Sequence, residues 1–383
     1  MRLHAFAKPI RIATTCLLLL AIADSARAIV KFNDGHDELF VTGTAGIGYD
    51  SNIFADADAT SDTIYTETLD LDYQRKAGML GVNGNLGWNF GQFTRNTSES
   101  YADPHARAEI TKATGRTTGS LTLGAQRQSR TEYALNLRTV SWDYNAGLNV
   151  KYPVIERYSI SGQVGYDYQD YTNNPSLFDI RTYTAGSDLY YVYTSQRDIL
   201  GGYRLRVTDT TNGTHSYDHA FTLGTTGKLL PKLNGTVRIG YQFRQSDRAN
   251  NGVSDTYSAF TTRTSATWTV TKRFNVTGLA SRDFSTLATD ISVDNTTAML
   301  NAGFAATARF TFFGGAGGGH LRYLGALSEG RRDTYATANL GVNYTMNDHF
   351  KITLTGMLYK NWSKFDQADY IRRTISLIVS SRW

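Results

Sequence analysis

The sequence predicts an all-β chain: a single transmembrane antiparallel β-barrel of about 18 strands, with 16 as the nearest alternative. Three observations predict it. Apolar and polar residues alternate almost without a break from about residue 38 onward. The connections between alternating segments are short and long by turns. The chain opens on an export signal and closes on an aromatic residue.

The first element is "MRLHAFAKPIRIATTCLLLLAIADSARA". Arg2, Lys8 and Arg11 make a positive start, Ile12 to Ala23 an apolar run, and Ala26-Arg27-Ala28 a small-residue cleavage site. A helix needs ~20 apolar residues to span a bilayer, more than this run offers. Residues 1–28 therefore read as a cleaved signal peptide and residues 29–383 as the barrel. Cys16, the one cysteine, lies in the removed segment. "ATTC" is a poor lipobox, and the apolar run continues past it, which disfavours a lipid anchor. A cysteine-free mature chain also excludes the small disulfide-stapled secreted domains.

Charge excludes a second class. Without Arg2, Lys8, Arg11, Arg27 and Asp24 the chain keeps 35 basic against 33 acidic residues, a balance of +2. Nucleic acid is not an expected partner. Proline is scarce (5) while glycine (35) and tyrosine (24) abound, as suits long paired strands. The mean hydropathy of −0.35 does not argue against a membrane, because a barrel strand is apolar only at alternate positions.

The strands follow from period-2 patterning. "VTGTAGIGY" sets Val41, Ala45, Ile47 and Tyr49 on one face. "LGVNGNLGWNF" sets Leu86, Trp88 and Phe90 against Asn83, Asn85 and Asn89. "VSWDYNAGLNVKY" and "LNGTVRIGYQF" repeat the pattern, the latter with Val237, Ile239, Tyr241 and Phe243 opposite Arg238 and Gln242. Such runs exceed the usual five or six residues of a globular strand.

Short turns are expected near Lys76–Gly78, Ala113–Arg116, Pro153–Arg157, Ser195–Asp198, Leu230–Lys232, Thr271–Arg273, Phe310–Phe312 and Asn347–His349. Longer polar loops are expected at Ser51–Ser61, Gln92–Pro104, Asp170–Asp179, Asp209–His215, Asp247–Asp255, Asp283–Asn295, Leu327–Arg332 and Trp362–Asp369, with a less distinct one near Gln128–Tyr133. None reads as long enough to fold in as a plug. Short turns at one end and longer loops at the other are the outer-membrane barrel pattern, with both termini in the periplasm.

The apolar row ends in rings beside the short turns, such as Tyr152, Tyr158, Trp268 and Phe274, where an interfacial girdle belongs. The other row carries Asn, Thr, Ser and Gln with charges of both signs. It is expected to line the lumen with Asp70, Asp72, Arg107, Asp143, Asp188, Arg204, Arg206, Arg238, Arg244 and Arg263. "RTISLIVSSRW" places Ile375, Leu377, Val379 and the final Trp383 on one face, a signal for the barrel-insertion machinery.

Chemistry-bearing candidates are few. Asp50, Asp56, Asp58 and Asp62 are spaced like part of a calcium loop, but the glycine and bidentate glutamate of an EF-hand are missing. His215 and His219 of "HSYDH" share a strand face without a third ligand. "FFGGAGGGHLRY" lacks the Lys-Ser/Thr ending of a phosphate loop. No nucleophile and base announce themselves. Neither metal, cofactor nor enzymatic activity is expected.

"GYDSNIF", Gly48 to Phe54, resembles the first-strand motif of the putative beta-barrel porin 2 family, outer-membrane barrels often associated with exopolysaccharide production. The resemblance implies that Tyr49, Asp50, Ser51 and Asn52 close the first strand. A barrel of this size leaves an aqueous channel, so passive passage of hydrophilic solutes or polymer is expected in contact with outer-membrane lipid, and the resemblance implies polysaccharide as a partner. The alternative is a structural or adhesion barrel with a blocked lumen and partner-binding outer loops.

Overall fold

In a computed structural model, which describes residues 30–75, 78–248, 253–325 and 328–383, almost every residue outside the connections lies in one sheet. The leader segment, and parts of the expected Lys76–Gly78 turn and the Asp247–Asp255 and Leu327–Arg332 loops, lie outside the described residues.

The strands are β1 (Val30–Phe32), β2 (Asp37–Asp50), β3 (Asp62–Arg75), β4 (Gly81–Phe93), β5 (Tyr101–Lys112), β6 (Thr118–Glu132), β7 (Leu137–Ile155), β8 (Tyr158–Tyr171), β9 (Ile180–Thr194), β10 (Arg197–Thr210), β11 (Thr214–Leu230), β12 (Leu233–Arg248), β13 (Val253–Thr271), β14 (Phe274–Thr286), β15 (Ser292–Ala305), β16 (Phe310–Tyr323), β17 (Arg332–Thr345), β18 (Phe350–Ser363) and β19 (Tyr370–Arg382). From β2 to β19 each strand pairs antiparallel with the next, and β19 pairs back onto β2 from Thr374↔Asp50 to Arg382↔Thr42. The result is a closed 18-stranded barrel, which leaves no free sheet edge. The short β1 pairs with the start of β2, from Val30↔Leu39 to Phe32↔Asp37, where β19 has already ended.

The alternation sorts the side chains. Ile47, Leu69, Leu86, Leu223, Ile239, Leu300, Leu340 and Ile375 are all exposed on the outer wall. Exposed apolar residues all round a closed sheet are what a lipid-facing band requires. Rings mark its short-turn edge, among them Tyr152, Tyr158, Tyr193 and Trp268.

The short turns are tight because single residues take left-handed backbone there. Between β11 and β12 Pro231 fixes its own φ and Lys232 adopts φ 69°. One expected turn is misplaced. Phe310 to Phe312 are the start of β16, paired with Tyr344 to Val342, and the turn spans residues 306–309. Thr307 organises it, its hydroxyl accepting from the Arg309 and Phe310 amides. Several loops are shorter than expected, since strands run on past the apolar band; the β10–β11 connection is only residues 211–213, whereas the β2–β3 loop keeps its expected bounds, residues 51–61.

Candidate functional site

The interior face of the barrel gathers its charges into two groups. In the first, on β3 to β7, Asp70 contacts His105 Nε2 at 2.7 Å and Asp72 accepts from Thr42 (3.1 Å) and Asn85 (2.9 Å). Asp143 accepts from Ser141 at 2.7 Å and lines a cavity with Arg107, Asn85, His105 and Gln126. Arg107 is exposed and makes no ion pair among the described residues.

The second group, on β9 to β14, is denser. Arg238 grips Asp188 with two bonds, at 2.6 and 3.0 Å. The fit depends on Gly202, where a Cβ would fall 2.0 Å from Asp188 Oδ1. Arg204 reaches Asp283 at 2.8 Å, and Arg206 bonds both Asp218 (2.8 Å) and Asp283 (3.2 Å). These contacts join β10 to β14 across the inside of the barrel, because β11, β12 and β13 lie between them in the wall. Arg263 lies among Arg204, Arg206 and Arg238 and is the member without a carboxylate in ion-pair reach among the described residues.

Arg244 corrects the expectation of an open, water-facing row. It is fully buried, bidentate on Asp218 at 2.6 and 2.8 Å, and also donates to Ser285 O (2.8 Å) and Ser292 (3.1 Å). The physical reason is the β14–β15 connection. β14 leaves β13 after Arg282 and its tip turns inward, placing the buried Phe284 under the Arg244 guanidinium. Asp290 in that connection accepts from Thr210, Asn212 and Thr214 at 2.6 to 3.0 Å, tying it to the β10–β11 turn.

A second inward segment crosses the mouth. β6 leaves β5 after Gln126, yet β6 and β7 stay paired for six more rungs, from Arg127↔Trp142 to Glu132↔Leu137. At roughly 3.3 Å per residue this hairpin extends about 20 Å. Its tip meets distant parts of the wall. Thr131 donates to Ile53 O at 2.7 Å and Asn136 to Ala55 O at 2.9 Å. Tyr323 on β16 donates to Ala134 O at 2.8 Å, and Arg331 to Asn136 at 2.7 Å. Tyr133 stacks on Tyr359 at 4.5 Å and accepts from Arg372 at 2.9 Å. Burial pushes the Tyr133 phenol up from its ordinary value, against the opposing pull of Arg372. The indistinct loop near Gln128–Tyr133 thus folds in, as the β14–β15 connection does, contrary to expectation.

The first-strand motif sits at the seam. Tyr49 faces outward opposite Ile375, and Asp50 pairs with Arg372 Nε at 3.0 Å. Ser51 donates its amide to Arg373 O and accepts the Arg373 amide on its hydroxyl, at 3.0 and 2.8 Å. Asn52 ties the turn to Asp56 O at 2.6 Å. Tyr49, Asp50 and Ser51 thereby join the first barrel strand to the last, while Asn52 holds the turn that follows. Asp62 is similarly committed, accepting from Thr94, Arg95 and Asn96. At the other rim Trp383 exchanges two 2.9 Å backbone bonds with Val41.

His215 and His219 point outward to Asp209 (2.7 Å) and Tyr203 (2.8 Å). Among the described residues no three metal-ligating side chains converge. Sequence reasoning passed over Asp218 and Asp283, the carboxylates that organise the second group. Asp218 lies between the two histidines of "HSYDH", on the interior row, where alternation alone could have found it.

Comparison with known proteins agrees with this geometry. Over 90% of this chain and 97% of its own, OccK2 (OpdF) of Pseudomonas aeruginosa superposes with a TM-score of 0.51 at 11% identity. OccK9 (OpdG) of the same organism gives 0.51 at 10% identity, over 91% and 98%. OpdK, also from Pseudomonas aeruginosa and solved with vanillate, gives 0.50 at 11%, over 90% and 98%. At such identities the likeness is one of fold. A search of the curated proteins returns no match. Residues 216–382 match the model of the putative beta-barrel porin 2 family, a part of the chain independent of the "GYDSNIF" motif. By its closed 18-stranded wall the chain has a porin-like β-barrel fold, and over residues 216–382 it is similar to the putative beta-barrel porin 2 family.

Proposed function

We propose that the barrel lets small hydrophilic solutes diffuse across the outer membrane, past the two inward-folded segments. An 18-stranded barrel has room for an aqueous channel. In this reading the long loops face outward and the short turns and both termini face the periplasm. Asp70, Asp72, Arg107, Asp143, Asp188, Arg204, Arg206, Arg238 and Arg263 line the path, while Arg244 fixes the β14–β15 segment that narrows it.

The observation that carries the reading is the polar, ion-paired interior row, which an apolar core would not tolerate and a wet lumen favours. Charges of both signs make ion preference weak. Arg107 and Arg263, which have no ion pair among the described residues, favour solutes with a carboxylate. OccK2 in complex with glucuronate and OpdK with vanillate make acidic small molecules the natural first test set.

The family's association with exopolysaccharide extends the reading to polymer. A polymer would need the β6–β7 hairpin to swing aside, since its tip bonds to both sides of the mouth. The same hairpin favours a second reading, a closed structural or adhesion barrel. Liposome swelling separates them. Protein reconstituted without residues 1–28 should admit arabinose and glucuronate and exclude a large dextran. No swelling with any solute, in wild type and in a variant with the hairpin shortened, would favour the closed barrel.

A further inference from the structure

The outer wall is not electrically uniform at its long-loop rim. On β14 to β17 the outward row ends in Arg282, Asp294, Arg322 and Arg332, around a recess that also includes His320 and Thr296. Asp294 is buried and accepts from Arg282 (2.7 and 3.0 Å) and Arg322 (3.1 Å), so one carboxylate holds two guanidinium groups together.

The recess remains short of negative charge. Arg322 and Arg332 stand directly opposite each other in the β16–β17 ladder. Like charges in that position repel, a cost that a bound anion would remove. Arg322 Nε is buried without a hydrogen-bond partner, and Arg332 makes no ion pair among the described residues. Lys360 and Arg373 continue the basic arc outward on β18 and β19, Lys360 being paired with Asp369. The arc on β8 to β12 differs: its outward rim bears Asp170, Asp209 and Asp247 with Arg181 and His215.

Beneath the basic recess the wall is shaped as well as apolar. Ala298, Gly318 and Ala336 stand side by side in one outward row, one step below Thr296, His320 and Thr334. Leu300 and Leu340, strongly exposed, stand below that row. Small residues beside large ones make a shallow trough running down the wall from the recess.

We propose that this arc binds an anionic lipid of the outer leaflet, its phosphate held by Arg282, Arg322 and Arg332 and an acyl chain lying in the trough. The proposal rests on the reading above that the long loops face outward. Guanidinium groups suit phosphate because they offer two parallel donors, and an outward position at the membrane rim is where lipid headgroups lie.

The test uses the folded protein lacking residues 1–28, in detergent, with native mass spectrometry to count retained lipid. The probes are lipid A, phosphatidylcholine and inorganic phosphate. Wild type should retain lipid A in preference to phosphatidylcholine. Arg322→Gln with Arg332→Gln should weaken that retention by roughly tenfold or more. Lys272→Gln, which removes a charge at the short-turn rim, should leave it unchanged. Resistance to SDS before heating confirms that each variant is folded. Equal retention in wild type and the double variant would overturn the proposal. So would displacement of lipid A by millimolar inorganic phosphate, which would make this a site for the free ion. If lipid A is retained but liposomes do not swell, the lipid site stands and the transport reading fails.

Discussion

Tyr133, at the tip of the β6–β7 hairpin, stacks 4.5 Å from Tyr359 on β18, although β5, β4, β3, β2 and β19 lie between their strands in the wall. Tyr335 and Tyr370 stack on Tyr359 in turn, at 5.4 and 5.8 Å. The hairpin is therefore anchored by ring packing as well as by hydrogen bonds. Aromatic pairs contribute about 0.5–1.5 kcal/mol each beyond the area they bury.

Loosening that anchorage should expose the hairpin. Tyr133→Ala with Asn136→Ala removes the stack, the Arg372 contact and the bonds to Ala55 and Arg331. Trypsin should then cut at Arg130 and Arg138 faster than in wild type, where the hairpin backbone is paired and anchored, while the barrel stays resistant to SDS. Equal cleavage rates in the two proteins would contradict the anchorage.

The fully buried carboxylate of Asp218 should matter more than that of Asp188, whose side chain is 14% exposed. Asp218→Ala leaves Arg244, fully buried, without its counter-ion, a loss of about 3–5 kcal/mol. Asp188→Ala leaves Arg238 in a cavity that water reaches, so the loss there should be smaller. Unfolding midpoints in micelles rank the two, and the reverse order would contradict the burial of Arg244.

The two faces of β12 should respond oppositely to charge. Ile239→Arg places a cation on the exposed outer wall, at a cost of ~2–4 kcal/mol if it lies at mid-bilayer. Thr236→Arg, on the interior row beside Thr226, should assemble normally. Gln242 shares that row but is fully buried, so it should not tolerate arginine. Yields of heat-modifiable barrel in outer-membrane fractions are the measure, and equal yields for Ile239→Arg and Thr236→Arg would invert the face assignment.

Ion preference should follow Arg263, one of the two lumen arginines without an ion pair among the described residues. Arg263→Glu should move the reversal potential toward cations under a salt gradient, and the shift should shrink as salt rises, since charges are screened within about 10 Å at 0.1 M. An unchanged potential would place Arg263 away from the conducting path.

Much of this fold was legible from alternation, because a barrel wall repeats one local rule. Ile239 outward and Arg238 inward follow from parity alone. Parity could not show where a hairpin leaves the wall. Arg127 to Glu132 alternate as a wall strand does, and only the bonds of Thr131 to Ile53, Asn136 to Ala55 and Tyr323 to Ala134 mark the hairpin as a crossing. Arg244 was misjudged for the same reason. Its cover comes from Ser285 and Ser292, far along the chain, and no local pattern encodes that contact. The Phe310–Phe312 turn failed differently, because aromatics at a strand start look like a girdle next to a turn.

The most direct test of a solute channel narrowed by the β6–β7 hairpin is single-channel conductance in planar bilayers, for wild type and for Tyr133→Ala with Asn136→Ala. The account predicts that wild type conducts with weak ion preference, and that the double variant conducts more and closes less often. Silence in both proteins, with the barrel shown to be folded and inserted, would contradict it.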